Sequence, residues 1–185
     1  LIVNAINNAL GNYGTTLDNS RPMFTKQGSE EAMTKLTADM NDGKVSGILI
    51  HNVNPVYDYQ NSQAFESALK KVGLRVSFAE TKDETAKHCN YILPDNNYLE
   101  SWNDAEFIKG ELSIQQPTIN PIFDTRQFQD SLMNWAGISG EFSDYMENNW
   151  SSSIAPGVDF NKIKHDGVYS VVVESKEFTF TEKVL

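Results

Sequence analysis

Few residues in this chain could carry chemistry. Its three histidines, His51, His88 and His165, never stand three or four apart, so no helical face presents a pair of histidine ligands. His88 precedes Cys89, and neighbouring residues on an extended segment point to opposite faces. His51 follows the apolar run Gly47-Ile48-Leu49-Ile50. If that run is a parallel strand, His51 stands at the edge where open α/β sheets take ligands. The competing role is a capped or solvated histidine. Glu80, Asp83 and Glu84 follow a second apolar stretch. An acid there can bond a ribose hydroxyl, and Asp83 can equally cap a helix. Asn52 and Asn54 stand where a dinucleotide loop needs glycines, which disfavours NAD. Gly11-Asn12-Tyr13-Gly14-Thr15-Thr16 lacks the Lys of a phosphate loop and follows a helical pattern, so it reads as a helix stop. No serine sits in a nucleophile elbow, and Cys89 has no base near it in sequence. The expectation is no catalytic residue and no metal site.

These positions need elements to hold them. Ile2, Ile6, Ala9 and Leu10 fall at helical spacing. Residues 11–28 form a turn-rich loop. Ser29 caps a second helix with Glu30 and Glu31 in its first turn and Met33, Leu36 and Met40 as its buried stripe. Residues 47–50 predict a strand covered on both faces, followed by a polar loop. Phe65, Ala68, Leu69 and Val72 mark a helix begun at Asn61 or Ser62 and stopped by Gly73. Leu74, Val76 and Phe78 alternate as a strand. A loop and short helix follow over 80–87, then a third strand, Tyr91-Ile92-Leu93, closed by Pro94. Strand, helix, strand, short helix and strand with tight connections predict parallel βαβ crossovers. The fold class is therefore α/β: a Rossmann-like, three-layer parallel sheet with helices 1–10 and 29–41 on its faces. Residues 95–125 read as irregular with one strand near 112–115. Phe128, Leu132, Trp135 and Ala136 mark a further helix. Residues 1–137 form the main domain, and 138–185 form a small helix-plus-hairpin appendage. In that appendage Ser151–Gly157 is a connector, Tyr169, Val171 and Val173 form a strand, and Phe178 and Phe180 form its partner.

Charge narrows the partners. Fifteen Lys and Arg against 25 Asp and Glu give a net charge of −10, the wrong sign for nucleic acid or an anionic membrane surface. One cysteine excludes an internal disulfide framework or a Cys-ligated iron–sulfur cluster within these residues. No apolar run approaches the roughly 20 residues that span a bilayer. Leu1 lies inside a helical pattern and the last residues inside a strand-like run, so the sequence reads as an excised piece of a longer polypeptide.

A series of segments resembles the molybdopterin oxidoreductase family of the dimethyl-sulfoxide-reductase type. They are Leu10-Gly11-Asn12-Tyr13-Gly14, Asn54-Pro55, Glu84-Thr85-Ala86, Ile92-Leu93-Pro94, Glu100, Gln116-Pro117 and Pro121 before a Trp-containing helix. Order and spacing agree across residues 1–137. Tyr98-Leu99-Glu100-Ser101-Trp102-Asn103-Asp104, Ser113–Pro117 and Phe123-Asp124-Thr125-Arg126 are most similar to the B subunit of alternative complex III, a quinol-oxidising bacterial assembly. That resemblance implies a parent with iron–sulfur clusters. It implies partners among haem c proteins and integral membrane subunits, and a place on the periplasmic face of the inner membrane, held there through those partners. The cofactor-binding loops of the family match His51, Asn52, Asn54, Glu80 and Thr81. Trp102-Asn103-Asp104 and Gly110-Glu111-Leu112 replace the Gly-Thr and Glu-Gly-Arg stretches of active enzymes, and Thr15-Thr16 replaces a glycine-rich continuation. Loop 51–60 has no Lys or Arg, and 79–84 sets Lys82 against Glu80, Asp83 and Glu84.

The reading that follows is a non-catalytic scaffold domain supporting electron transfer in a respiratory quinol:acceptor oxidoreductase. It holds only a relic crevice and no cofactor in this piece. The alternatives are a working domain of a polysulfide- or thiosulfate-reductase-like molybdopterin enzyme, and an interaction module unrelated to redox. A surface covered in a larger assembly should be exposed around 11–28, Trp102, Phe107 and Phe180.

Overall fold

The computed structural model describes residues 2–25 and 27–173. The elements in order are α1 (Ile2–Ala9), α2 (Glu30–Asn41), β1 (Gly47–Ile50), α3 (Pro55–Asp58), α4 (Ser62–Leu69), β2 (Leu74–Ser77), β3 (Tyr91–Ile92), β4 (Asn103–Ile108), β5 (Glu111–Gln115), α5 (Phe128–Trp135), α6 (Phe142–Asn149), α7 (Phe160–Asp166) and β6 (Val168–Ser170). They gather into two compact units that interleave along the chain. One takes Gly28–Asn103 and Gln115–Phe160. The other takes the described residues of Leu1–Gln27, Asp104–Ile114 and Asn161–Leu185.

The larger unit is a mixed helix and strand fold on a parallel sheet of order β1-β2-β3. Ile50 stands beside Ser77, and Ser77 beside Ile92. All three strands therefore end at one edge. The branched run at 47–50 suits a strand, and Ser29 caps α2 as expected, its hydroxyl accepting from the Ala32 amide at 3.1 Å. Met40, Phe65, Ala68, Leu69 and Val72 from α2, α4 and the turn after α4 seal one face of the sheet around Ile50. On the other face Phe78, one residue past β2, meets Phe128 and Trp135 of α5.

Three expectations are corrected here. β1 is not covered on both faces. It is an edge strand, Leu49 is 46% exposed, and an apolar groove of about 660 Å³ between α2 and α3 runs along it. Helix 1–10, expected on a face of this sheet, exists but buries no residue and belongs to the other unit. Loop 51–60 contains α3, started by Pro55, whose missing N–H costs nothing at a helix N-terminus.

The smaller unit holds an antiparallel ribbon of order β4-β5-β6. β4 was missed in the sequence because Asn103-Asp104-Ala105-Glu106 does not alternate by polarity. Lys109 and Gly110 turn β4 into β5, with Gly110 at φ +85°, a conformation glycine adopts freely. A Cβ at Gly110 would lie 2.3 Å from a methyl carbon of Val173, so close approach and backbone conformation both demand glycine. β6 pairs with β5, Tyr169 opposite Leu112. Tyr169 is in a strand as expected, but Val171 and Val173 lie past its end. The expected partner strand at Phe178 and Phe180 lies outside the described residues. In the larger unit, residues 150–154 form a wide helical turn where a connector was expected, and the helix expected somewhere in 138–185 is two in sequence, α6 before that turn and α7 after it. Met23 bridges to Ile108, and Phe107, in the patch expected to be exposed, is 56% exposed.

Candidate functional site

The carboxyl ends of β1, β2 and β3 bring their following loops together, so His51, Glu80 and Asp95 share one edge. His51 Nε2 lies 2.7 Å from Asp95 Oδ2. The imidazole stacks on Phe128 at 3.9 Å between centroids and 9° between planes, and it meets Phe78 edge-on at 6.3 Å. The other Asp95 oxygen accepts the Asn96 amide at 2.8 Å and the Phe128 amide at 2.7 Å, capping α5. Nε2 is the ring nitrogen turned to the carboxyl group, and Nδ1 faces away from it. The pair orients the ring and clasps β1 to the start of α5.

Asn54 is bound inward. Its Oδ1 accepts from the Thr85 hydroxyl at 2.6 Å and the Thr85 amide at 3.2 Å, and its Nδ2 donates to Glu84 at 2.8 Å. The Asn54 carboxamide holds the Glu84 carboxyl below its ordinary pKa, followed by a backbone N–H. The Thr85 hydroxyl in turn accepts the Val56 amide at 3.0 Å, which fixes the start of α3. Asn52 has φ +55°, a conformation asparagine tolerates better than most residues, and it is exposed. Glu80 accepts from Asn97 Nδ2 at 3.2 Å. Thr81 is exposed, and its carbonyl receives the Asp83 amide at 2.8 Å. Asp83 caps the turn at Ala86, whose amide it accepts at 2.7 Å.

The five expected residues thus line the loops of one edge, but they form no single ligand-facing cluster. Asp95, Phe78 and Phe128 complete the site and were missed. Asp95 was open to discovery, since it follows the third strand just as His51 follows the first. Phe128 lies 33 residues from Asp95 in sequence and carried no local sign. Other candidates fall away. Burial pushes the Cys89 thiol up, and its sulfur leans on the Thr85 carbonyl. His88 faces Glu66 at 3.3 Å. Among the described residues no group of three metal-ligating side chains occurs. In the Gly11–Thr16 turn, Thr15 and Thr16 bond back to the carbonyls of Gly11 and Asn12, as a helix stop does.

A sequence model of the molybdopterin oxidoreductase family matches residues 3–130, and the chain belongs to that family. It is 32% identical over 126 residues, 63% of this chain and 18% of the relative, to the protein named menaquinone reductase, molybdopterin-binding-like subunit, of Nitratidesulfovibrio vulgaris. It is 27% identical over 77 residues, 42% of this chain and 11% of the relative, to the assimilatory nitrate reductase catalytic subunit of Bacillus subtilis. Among solved structures it resembles acetylene hydratase from Pelobacter acetylenicus, at a TM-score of 0.62 and 18% identity. That match covers 76% of this chain and 21% of the other. The chain therefore spans about a fifth or less of each relative.

The family implies a pterin dinucleotide, whose pyrophosphate needs donors or positive charge when buried. Asn54 turns its carboxamide to Glu84 and Thr85, His51 turns Nε2 to Asp95, Glu80 is held by Asn97, and Lys82 is outnumbered by Glu80, Asp83 and Glu84. The loops after β1 and β2 do not fit a pyrophosphate.

Proposed function

We propose that this chain is a scaffold domain, without catalysis of its own, in a respiratory quinol:acceptor oxidoreductase subunit of the type found in alternative complex III. Its sheet is the Rossmann-like, three-layer core of the family, with α2 and α4 on one face and α5 on the other. In chain order, residues 1–137 are the family-type module and 138–185 its appendage, and the match over 3–130 supports the first of these. One observation carries the reading: the crevice side chains bond to the fold itself. Asn54 is tied to Glu84 and Thr85, and His51 to Asp95. A relative's name, a molybdopterin-binding-like subunit of a menaquinone reductase, fits such a role.

In this reading the parent carries iron–sulfur clusters elsewhere. It works beside a haem c protein and integral membrane subunits on the periplasmic face of the inner membrane. Among the described residues no helix is long and apolar enough to cross a membrane, so attachment through partners suits it. The test is mass spectrometry for pterin, with a molybdenum and tungsten assay, on protein purified from its native complex. We expect neither at stoichiometric level. Stoichiometric pterin and metal would replace the scaffold reading with a working domain of a polysulfide- or thiosulfate-reductase-like molybdopterin enzyme.

A further inference from the structure

Arg126 stands between two anchored neighbours. The Thr125 hydroxyl donates to Asn96 Oδ1 at 2.6 Å, and Gln127 clamps the backbone of Trp102, accepting its amide at 3.0 Å and donating to its carbonyl at 2.8 Å. Both flanking side chains turn into the fold, so the residue between them faces out, and Arg126 is exposed. It belongs to no ion pair among the described residues. It nevertheless lines two clefts, and it is the only Lys or Arg lining any of the three cavities described.

The clefts differ in what they offer an anion. The one of about 480 Å³ sets Arg126 beside Asp130 and Glu141, a local excess of negative charge. The one of about 370 Å³, just past β3, sets it against a single acid, Asp124. That cleft has an apolar wall of Leu93, Pro94 and Trp135, with Ser131 one turn before Trp135 on α5. Trp135 is 53% exposed, packed against Phe78 at 5.8 Å between centroids and open elsewhere. A flat apolar wall, a hydroxyl and one uncommitted guanidinium, held on a segment fixed at both sides, make a small-ligand site.

We propose that this cleft binds a small aromatic anion, a planar ring bearing a carboxylate or phosphate. The ring lies on Trp135 and the anionic group pairs with Arg126, with Ser131 donating to it. The site does not depend on the respiratory reading, and it sets one cation against one acid, where in the loop after β2 Lys82 faces Glu80, Asp83 and Glu84.

Phenyl phosphate titrated into the purified chain, followed by tryptophan fluorescence and amide chemical shifts, tests it. Phenol and inorganic phosphate serve as controls. The expected result is saturable binding that moves the Trp135 and Ser131 signals. Arg126→Gln should weaken it about tenfold, the loss of one charge-assisted contact, and Asp124→Asn should tighten it. Circular dichroism of each variant checks that the fold is kept. No saturation by about 10 mM ligand, affinity unchanged in Arg126→Gln, or equal affinity for phenol would overturn the site. Equal affinity for inorganic phosphate would overturn the role of Trp135.

Discussion

In the parallel-sheet unit, Met40, Phe65, Leu69 and Phe78 are sealed from water, and Trp150 is sealed further along the chain. In the β4-β5-β6 unit the only apolar side chain buried among the described residues is Ile163. That ribbon is held by polar means instead. Glu111 pairs with Arg21 and accepts from the Ser170 hydroxyl at 2.6 Å, Glu106 accepts the Gly110 amide at 2.7 Å, and Gly110 receives the Val171 amide at 2.8 Å. Buried apolar area gives one unit a cooperative core. The other relies on exposed bonds, each of small net worth, and should open locally at lower cost.

The comparison breaks first at Phe65, which is 1% exposed at the centre of the core. Phe65→Ala should cost about 3–5 kcal/mol in urea unfolding followed by tryptophan fluorescence. A loss under about 1 kcal/mol would mean that the parallel unit is not core-stabilised. Gly110→Ala should cost about 2 kcal/mol, from strain at positive φ and the Val173 contact. Amide exchange should localise that loss to Glu111–Ser113 and Val168–Val171, with the core amides unchanged. If both sets of amides lost protection equally, the two units would be one cooperative body.

Thr85→Val keeps the shape of a buried side chain but removes the hydroxyl's bonds to Asn54 and Val56, leaving the backbone amide on Asn54. About 1–3 kcal/mol should go from the parallel unit, since partners are left unpaired in the interior. A neutral result would show that the hydroxyl adds nothing to the bonds Asn54 makes with Glu84 and the Thr85 amide. The smallest effect is electrostatic. The Ser170 hydroxyl, and after it Arg21, holds the Glu111 carboxyl below its ordinary value. Folding lowers this pKa, so the contribution is complete above the unfolded value of about 4.3. It disappears as pH falls through the folded value. Protection of β5–β6 amides should therefore decline on acidification below about pH 4, and Glu111→Gln should remove that dependence.

The two units also differ in how far they could be read from residue order. Periodicity at Phe65, Ala68 and Leu69, the branched run at 47–50 and the cap at Ser29 all describe local events, and the parallel sheet followed from them. The ribbon is made of distant segments: Glu111 meets Arg21 across 90 residues and Ser170 across 59. No window contains that information. The same limit divides the candidate site. His51 and Glu80 were visible as residues that follow strands, whereas Phe128 and the role of Asp95 as cap of α5 depend on tertiary return. The exposure of Leu49 was hidden too, because an apolar run does not reveal whether both its faces find a neighbour.

Cys89 packs against the core of the parallel unit and is the chain's single thiol. Burial raises its pKa, so the thiolate that reacts with an alkylating reagent is scarce while the unit is closed. The chain thereby carries its own probe: the rate at which iodoacetamide consumes the sulfur, set against the rate in urea, reports how far this unit shields it. A reading on the ribbon by amide exchange in the same sample would set the protection of the two units side by side without any engineered label.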